Sequence, residues 1–554
     1  MTSVLGNSLV EALMRLLPPM EADVSVLEAV VLALTDALEQ GELGIHLKGE
    51  TPDGITAEQW PKRMLQVLEA SGWMVSSQTL NDKPEAPIVH DGDWLRWRRW
   101  HQDLDSCLQR LLELGECPMV EPPPPELLET CRIQAEEAGL DGCQCDAVIT
   151  LLQRRLVLLT GGPGTGKTST VVQMLAAALR RKPDLRIQLS APTGKAASRL
   201  LEAVTLGGEG LEPEQAKPLT QLTSCTLHRL LEAQGEGRFR RNQQTPLDLD
   251  LLVVDEFSMV DLPLMGALLD AMPAHGQLLL VGDANQLPPV GPGAVLQELI
   301  QPQRLQRLGT AAVELRTTYR NDGAIAVLAS QLREGMTGLD QKCLSRLKPN
   351  DNVTWLEAPS QALPSVLVEL LLKQQECLKA LARTLRWQND DPHPDDVAAL
   401  LGQLEAEIAL SPVRQGPWGV EAIHRALLGE LSRRPVQHWP AGTPVLNRHN
   451  RPEQGLANGD IGVMVQRDQH SLVLLPGGRL LHPAQLSGAE PAFALTVHKS
   501  QGSQYGRVAL LLPPTRYPDP RLAYTGLTRA RSKVLLITPL ISKNLAGSEQ
   551  PRHA

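Results

Sequence analysis

Lys167 and Thr168 close the run Gly161, Gly162, Pro163, Gly164, Thr165, Gly166. This order fits G-x-x-x-x-G-K-[ST]. Glycines there let backbone N–H groups close around phosphate oxygens, the ammonium neutralises β- and γ-phosphates, and the hydroxyl holds Mg²⁺. Farther along, the apolar run LLVVDE ends on two carboxylates, Asp255 and Glu256. Asp255 suits Mg²⁺ held through water, and Glu256 suits the orientation and deprotonation of an attacking water. A third apolar run, LLLVGDANQLPPVGPG, carries Gln286, an amide placed to touch a γ-phosphate and report its loss. The chemistry of this set is hydrolysis of a nucleoside triphosphate with Mg²⁺, with Thr168 and Asp255 as the metal-facing pair.

These residues work only if secondary structure brings them to one edge. RLVLLT precedes the glycine run and reads as a strand, and KTSTVVQMLAAALRR after it has helical composition. From about residue 130 to 330 the apolar runs RLVLLT, RIQLSA, DLLVVDE and QLLLVGD alternate with helical stretches, the pattern of a parallel sheet covered on both faces. A helix-rich stretch containing the polar segment WQNDDPHPDD, expected as a solvated loop, runs to about 405. Alternation then returns with EIALSP, GVEAIHRALLGELSRR, RVALLLPP and SKVLLITP. Residues 331–554 therefore read as a second α/β domain, interrupted at about 437–490 by short strand-like runs that suggest a small β insert. Residues 1–120 read as helical and leucine-rich. Within them, WLRWRRWHQDLDSCLQRLLEL is expected to be one amphipathic helix whose face of Trp94, Trp97, Trp100 and Leu104 either anchors a partner or packs on its own domain. The prolines of PMVEPPPPELLE read as a stiff linker.

The 554 residues suffice for several domains, and 42% hydrophobic with 21% charged residues is ordinary globular composition. A formal net charge of −10 does not point to a nucleic-acid binder, and weighs only weakly against one, because such a protein needs a local basic track rather than a basic average. No apolar run reaches the roughly 18 residues of a membrane span and no signal-type N-terminus is visible, so a soluble cytoplasmic protein is expected. Cys107, Cys117, Cys131, Cys143 and Cys145 crowd one region, but their spacing lacks the paired ligands of a zinc site, and reduced thiols are expected.

In order, the chain shows GGPGTGKT, APTGKAASRL, DEFSM, GDANQLPPV, TTYR, TVHKSQGSQY and YTGLTRAR. These look like motifs I, Ia, II, III, IV, V and VI of superfamily 1 helicases, and their wording resembles the RecD family, motor subunits of exonuclease V (RecBCD-type) complexes. The resemblance implies an α/β fold of two RecA-like P-loop motor domains with an SH3-like β insert and a helical N-terminal domain. It also implies ATP-driven 5′→3′ movement on single-stranded DNA, with duplex ends as substrate and RecB- and RecC-like subunits as partners.

Position by position, it places Gln144 at the adenine edge, Tyr319 near the base, and Arg320 and Arg529 on the γ-phosphate. Thr193, Lys195, Thr496 and His498 fall on the DNA face. Residues 229–248 fall where the family carries a small hairpin able to act as a strand-separating pin, against which stands a plain basic surface loop. Asn458-Gly459-Asp460 falls at the turn of the β insert. Motif II departs from the commoner DEASM by Phe257, a packing change beside the acids. A self-sufficient RecD-like helicase, a motor-inactive scaffold subunit and an RNA helicase are the competing readings.

Overall fold

The computed structural model describes residues 4–540 except 21–22, 50, 212, 236, 320–322, 335–338, 340–343, 349–351, 450–455, 469, 487 and 515–518. The N-terminal region combines the helices Val4–Leu16, Val24–Glu39 and Lys62–Ser71 with a four-stranded sheet. Its strands β1 (Gly44–His46), β2 (Met74–Ser76), β3 (Ile88–Asp91) and β4 (Trp94–Trp97) lie in the order β1-β4-β3-β2.

The expectation of a helical domain is corrected here, as is the single tryptophan helix. Trp94 and Trp97 belong to a strand, and the helix starts only at Arg98 and runs to Glu116. The reason is the turn at Gly92-Asp93, where Gly92 takes φ +58° and folds Trp94 back opposite Asp91. A hairpin set by this short Gly-containing turn overrides the helical spacing of the aromatics.

The first motor sheet consists of β5 (Leu156–Gly161), β6 (Ile187–Ala191), β7 (Ser224–Thr226), β10 (Leu251–Val254), β11 (Gln277–Gly282) and β12 (Ala312–Leu315). All are parallel, in the order β12-β5-β11-β10-β6-β7. Between β7 and β10 stands a separate hairpin, β8 (Ala233–Gly235) and β9 (Arg238–Phe239). The central strands β10 and β11 are buried at every position because both faces are covered. Leu252, Val254, Leu278 and Leu280 enter one core, while Leu251, Val253, Leu279 and Val281 enter the other.

The helix Arg98–Glu116 belongs to the first of these cores. Leu104, Cys107, Leu108, Leu111 and Leu112 pack with Leu156, Leu158, Met265 and Leu268. The helix thus covers a face of the motor sheet, whereas the strand before it stays with the N-terminal sheet. Arg96, buried on that strand, ties the two by ion pairs to Asp91 (3.2 Å) and, in the motor, Glu298 (3.1 Å). The proline segment that follows lies along the motor: Met119 N–H donates to Gln153 O, and Pro124 precedes the helix Pro125–Glu137.

The second sheet is also parallel, in the order β13-β24-β23-β16-β22, from β13 (Val353–Ala358), β16 (Glu407–Ser411), β22 (Ala494–Thr496), β23 (Tyr505–Leu511) and β24 (Ala530–Pro539). The segment read as a solvated loop forms a short hairpin, β14 (Trp387–Gln388) and β15 (Asp391–Pro392), and then the start of the helix Pro394–Ala406. The strands β17 (Pro444–Leu446), β18 (Ile461–Arg467), β19 (His470–Leu474), β20 (Leu480–Leu481) and β21 (Glu490–Pro491) make a five-stranded antiparallel sheet between β16 and β22. Trp439, Val445, Met464 and Val473 fill its core.

Because Leu111 is fully buried in the motor core, Leu111→Ala should destabilise the protein by about 2–5 kcal/mol, the usual cost of a leucine cavity. Thermal and denaturant unfolding check this. A variant as stable as the parent would make the helix a peripheral element.

Candidate active site at the cleft between the two parallel sheets

The glycine run leaves the C-terminal end of β5 and closes onto the helix Lys167–Arg181. Gly164 and Gly166 take φ +76° and +80°, the left-handed conformation that glycine adopts without strain. A Cβ on Gly166 would also strike Gln144 Nε2. The loop is braced by its own groups, with the Thr165 hydroxyl donating to Gly162 O at 2.8 Å. Lys167 Nζ arches back to donate to Gly161 O (2.6 Å) and Gly162 O (2.9 Å). The ammonium therefore sits over the loop, within reach of phosphates cradled there.

Asp255 and Glu256 follow β10 into the same cleft, whose volume is ≈ 550 Å³. Pro163, Gly164, Thr168, Gln286, Tyr319 and Arg529 line it with them. Burial, and then the charge of Glu256, push the Asp255 carboxyl up, while Lys167 and the Glu256 N–H pull it down. Glu256 itself adopts φ +51°, a left-handed backbone unusual for a side-chain-bearing residue and of the kind that collects at functional sites. Phe257, the departure in this motif, is fully buried in the core beneath the acids and leaves them in the cleft.

The amide of Gln286 has a fixed direction. Its Nε2 donates to Asp283 Oδ2 at 3.2 Å, and its Oε1 is buried without a hydrogen-bond partner among the described residues. The residue borders the cleft, and this buried carbonyl oxygen is an acceptor, the kind of group that takes a water proton. Thr168 and Asp255 line the cleft with Lys167, a set that brings a hydroxyl and a carboxyl oxygen to it. It fits a hard divalent cation with its waters.

Arg529 comes from the second sheet's side. It is buried, with Nε donating to Thr525 O (3.2 Å) and Nη1 to Ser503 O (3.3 Å), and two backbone carbonyls thereby fix where the guanidinium faces. Arg320, the other expected arginine, lies outside the described residues.

Two expected roles meet different surroundings. Gln144 is buried and committed at both ends: Oε1 accepts the Asp141 N–H (2.9 Å) and Nε2 donates to Thr165 O (3.2 Å). It braces the phosphate loop from behind instead of offering a free amide to a base. Tyr319 does line the cleft, about half exposed, with its N–H on Gly164 O and its hydroxyl donating to Asp141 Oδ2 (2.8 Å). Lys195 points into the junction between the lobes, 3.6 Å from Glu405, rather than outward.

Thr193 and Thr496 both stand at strand ends, as caps. Thr193 accepts the Ala196 N–H, and Thr496 accepts that of Lys499. His498 is half-buried, and that burial lowers its pKa.

Sequence reasoning assigned no role to several residues that join the lobes. The Tyr524 hydroxyl donates to Asp283 Oδ2 (2.9 Å) across the cleft. The backbone of Leu287 is gripped from both sides, its N–H donating to Thr525 Oγ1 (3.0 Å) and its C=O accepting from Gln501 Nε2 (3.0 Å). Tyr524, Thr525 and Gln501 lie inside quoted motifs, so their position was visible although their partners were not. Arg333, close to Gly162 and in no quoted motif, carried no such signal.

Two family models match, an AAA domain over residues 144–292 and a UvrD-like helicase C-terminal domain over 491–537. The RecBCD enzyme subunit RecD of Mycolicibacterium smegmatis is 34% identical over 93% of this chain and 90% of that one. RecD of Haemophilus influenzae is 30% identical over 70% and 67%. The ATP-dependent RecD2 DNA helicase of Deinococcus radiodurans is 31% identical over 74% of this chain and 51% of its own length. A likeness that runs through nearly the whole of both chains, with the two family models falling on opposite walls of one cleft, makes this chain a member of the RecD family of RecBCD enzyme subunits.

Proposed function

We propose that this RecD-family chain is an ATP-dependent DNA helicase that moves 5′→3′ on single strands as the motor of an exonuclease V-type complex with RecB- and RecC-like subunits. The observation that carries the reading is the position of Arg529. It is held by carbonyls of the second lobe, yet it faces the cleft that holds Lys167, Asp255 and Glu256. A nucleotide contacting both walls favours the closed cleft, and loss of its γ-phosphate releases that preference. Grip on DNA that alternates between the lobes turns closure into a step.

In this reading Lys167 neutralises phosphate charge, Glu256 takes the proton of the attacking water, and Gln286 Oε1 orients that water. Thr168 and Asp255 would hold Mg²⁺, which when bound supplies charge neutralisation at the phosphate oxygens. Tyr319 borders the base, while Thr193, Thr496 and the neighbouring turns track the DNA backbone. The β8–β9 hairpin is a strand-separating element. The five-stranded insert corresponds to the family's SH3-like module, and the N-terminal sheet and its helices are the docking face for partner subunits.

The subunit reading is favoured over a self-sufficient helicase by the span of the similarity. A match over 93% of the chain takes in the N-terminal region, and it is to a RecBCD subunit.

Lys167→Ala should abolish ATP hydrolysis and leave the circular dichroism spectrum unchanged, because its ammonium serves phosphates rather than packing. A wild-type turnover rate would remove the loop from the mechanism. Arg529→Ala should slow hydrolysis by about 10³-fold while nucleotide still binds, the scale of an arginine finger. Collapse of binding with a high residual rate would make Arg529 structural.

Single-stranded DNA should stimulate ATPase activity, and the logarithm of the DNA affinity should fall linearly with that of salt as phosphate contacts release counterions. Stimulation by RNA and not by DNA would select the RNA helicase. The raised Asp255 carboxyl adds a pH test: protons compete with Mg²⁺ for a group that ionises late. Apparent Mg²⁺ affinity should therefore weaken as pH falls toward neutrality and below. An affinity flat with pH would separate Asp255 from the metal.

A further inference from the structure

One carboxylate outside the phosphate-handling set gathers cations from both lobes. Glu405 ends the helix Pro394–Ala406 on the second lobe. From the first lobe's helix Gly194–Gly208, Arg199 Nη2 approaches its Oε1 at 3.2 Å and Lys195 Nζ at 3.6 Å. From β24, Arg531 Nη2 reaches its Oε2 at 3.0 Å. Arg199 also donates to Gly502 O (3.1 Å) and Gln504 O (3.3 Å), and Lys195 Nζ stands 5.3 Å from the centre of the Tyr505 ring. Burial and the nearby Arg199 charge bring Lys195 down to about 8.

The cluster borders the reaction. Arg199 and Arg531 line the same cleft as Arg529, Asp255 and Lys167. Three cations on one carboxylate would repel one another across the lobe junction if that carboxylate were neutral. Glu405 converts this repulsion into attraction and sets the spacing of Arg199 and Arg531 without touching nucleotide itself.

We propose that Glu405 is a positioning residue for nucleotide hydrolysis: it holds Arg199 of one lobe and Arg531 of the other in register, so that the cleft closes with its arginines in place. The proposal rests on the reading of the cleft as an ATPase site. It adds an interlobe coupling residue that lies outside every helicase motif of the sequence.

Glu405→Gln keeps size and polarity and removes only the charge. In the full-length protein, kcat of DNA-stimulated hydrolysis should fall about tenfold, the rate equivalent of one charge-assisted hydrogen bond, with KM for ATP changed about twofold or less. Arg531→Gln should lose a similar factor, and the double variant should be no worse than the poorer single one, since both break the same contact.

Hydrogen exchange provides a readout that needs no activity. The Leu287 amide, which donates across the lobes to Thr525, should exchange faster in Glu405→Gln without nucleotide, while amides of the β10 core stay unchanged. Multiplying losses in the double variant, or a Leu287 exchange rate equal to wild type, would overturn the proposal. If the wild-type protein showed no DNA-stimulated hydrolysis, the ATPase reading would fail, and the exchange measurement would still decide whether Glu405 holds the lobes together.

Discussion

A carboxylate that must stay buried organises this molecule. Asp283 follows the central strand β11 and is 1% exposed, a position tolerable only when donors surround it. Its donors come from its own turn, through Asn285 N–H and Gln286 Nε2, and from the other lobe, through the Tyr524 hydroxyl. The second lobe thus completes the hydrogen bonding of the first. The same turn fixes the Gln286 amide and brings Leu287 between Thr525 and Gln501. Lobe pairing thus begins at one desolvated group and is reinforced at Leu287 and Glu405.

The rest of the fold serves that junction. The two parallel sheets carry their loops at the C-terminal ends of the strands, where open α/β sheets bind ligands. Strands apolar on both faces make each sheet rigid enough to hold a strained residue such as Glu256. The helix Arg98–Glu116 seals one face of the first sheet and carries the N-terminal sheet on its leading end, where Arg96 is clamped to Glu298. Gly41, which accepts the Gly293 N–H, and Leu43, which enters the same core, add to this connection.

Much of the site was readable in the chain because its constraints are local. A phosphate loop needs glycine at particular φ angles and a lysine at a fixed offset, and Gly164, Gly166 and Lys167 meet both within a few residues. Strands covered on both faces read as unbroken apolar runs, and the acids that end them followed. Where spacing alone was used, a competing local signal prevailed. Trp94, Trp97 and Trp100 recur every three residues as a helix would ask, yet the Gly92-Asp93 turn makes the first two a strand.

By itself the sequence determined which residues gather at one cleft, that two α/β units flank them, and that a β insert interrupts the second. Tertiary structure alone decided what each polar side chain faces. The resemblance puts Gln144 at the adenine edge, and in the fold its amide bonds to Asp141 and Thr165 behind the glycine loop. The resemblance puts Lys195 on the DNA face, but it turns to Glu405, more than two hundred residues away in the chain. The physical reason is that a buried polar group takes whichever partner desolvation leaves within reach, and chain separation does not enter that choice.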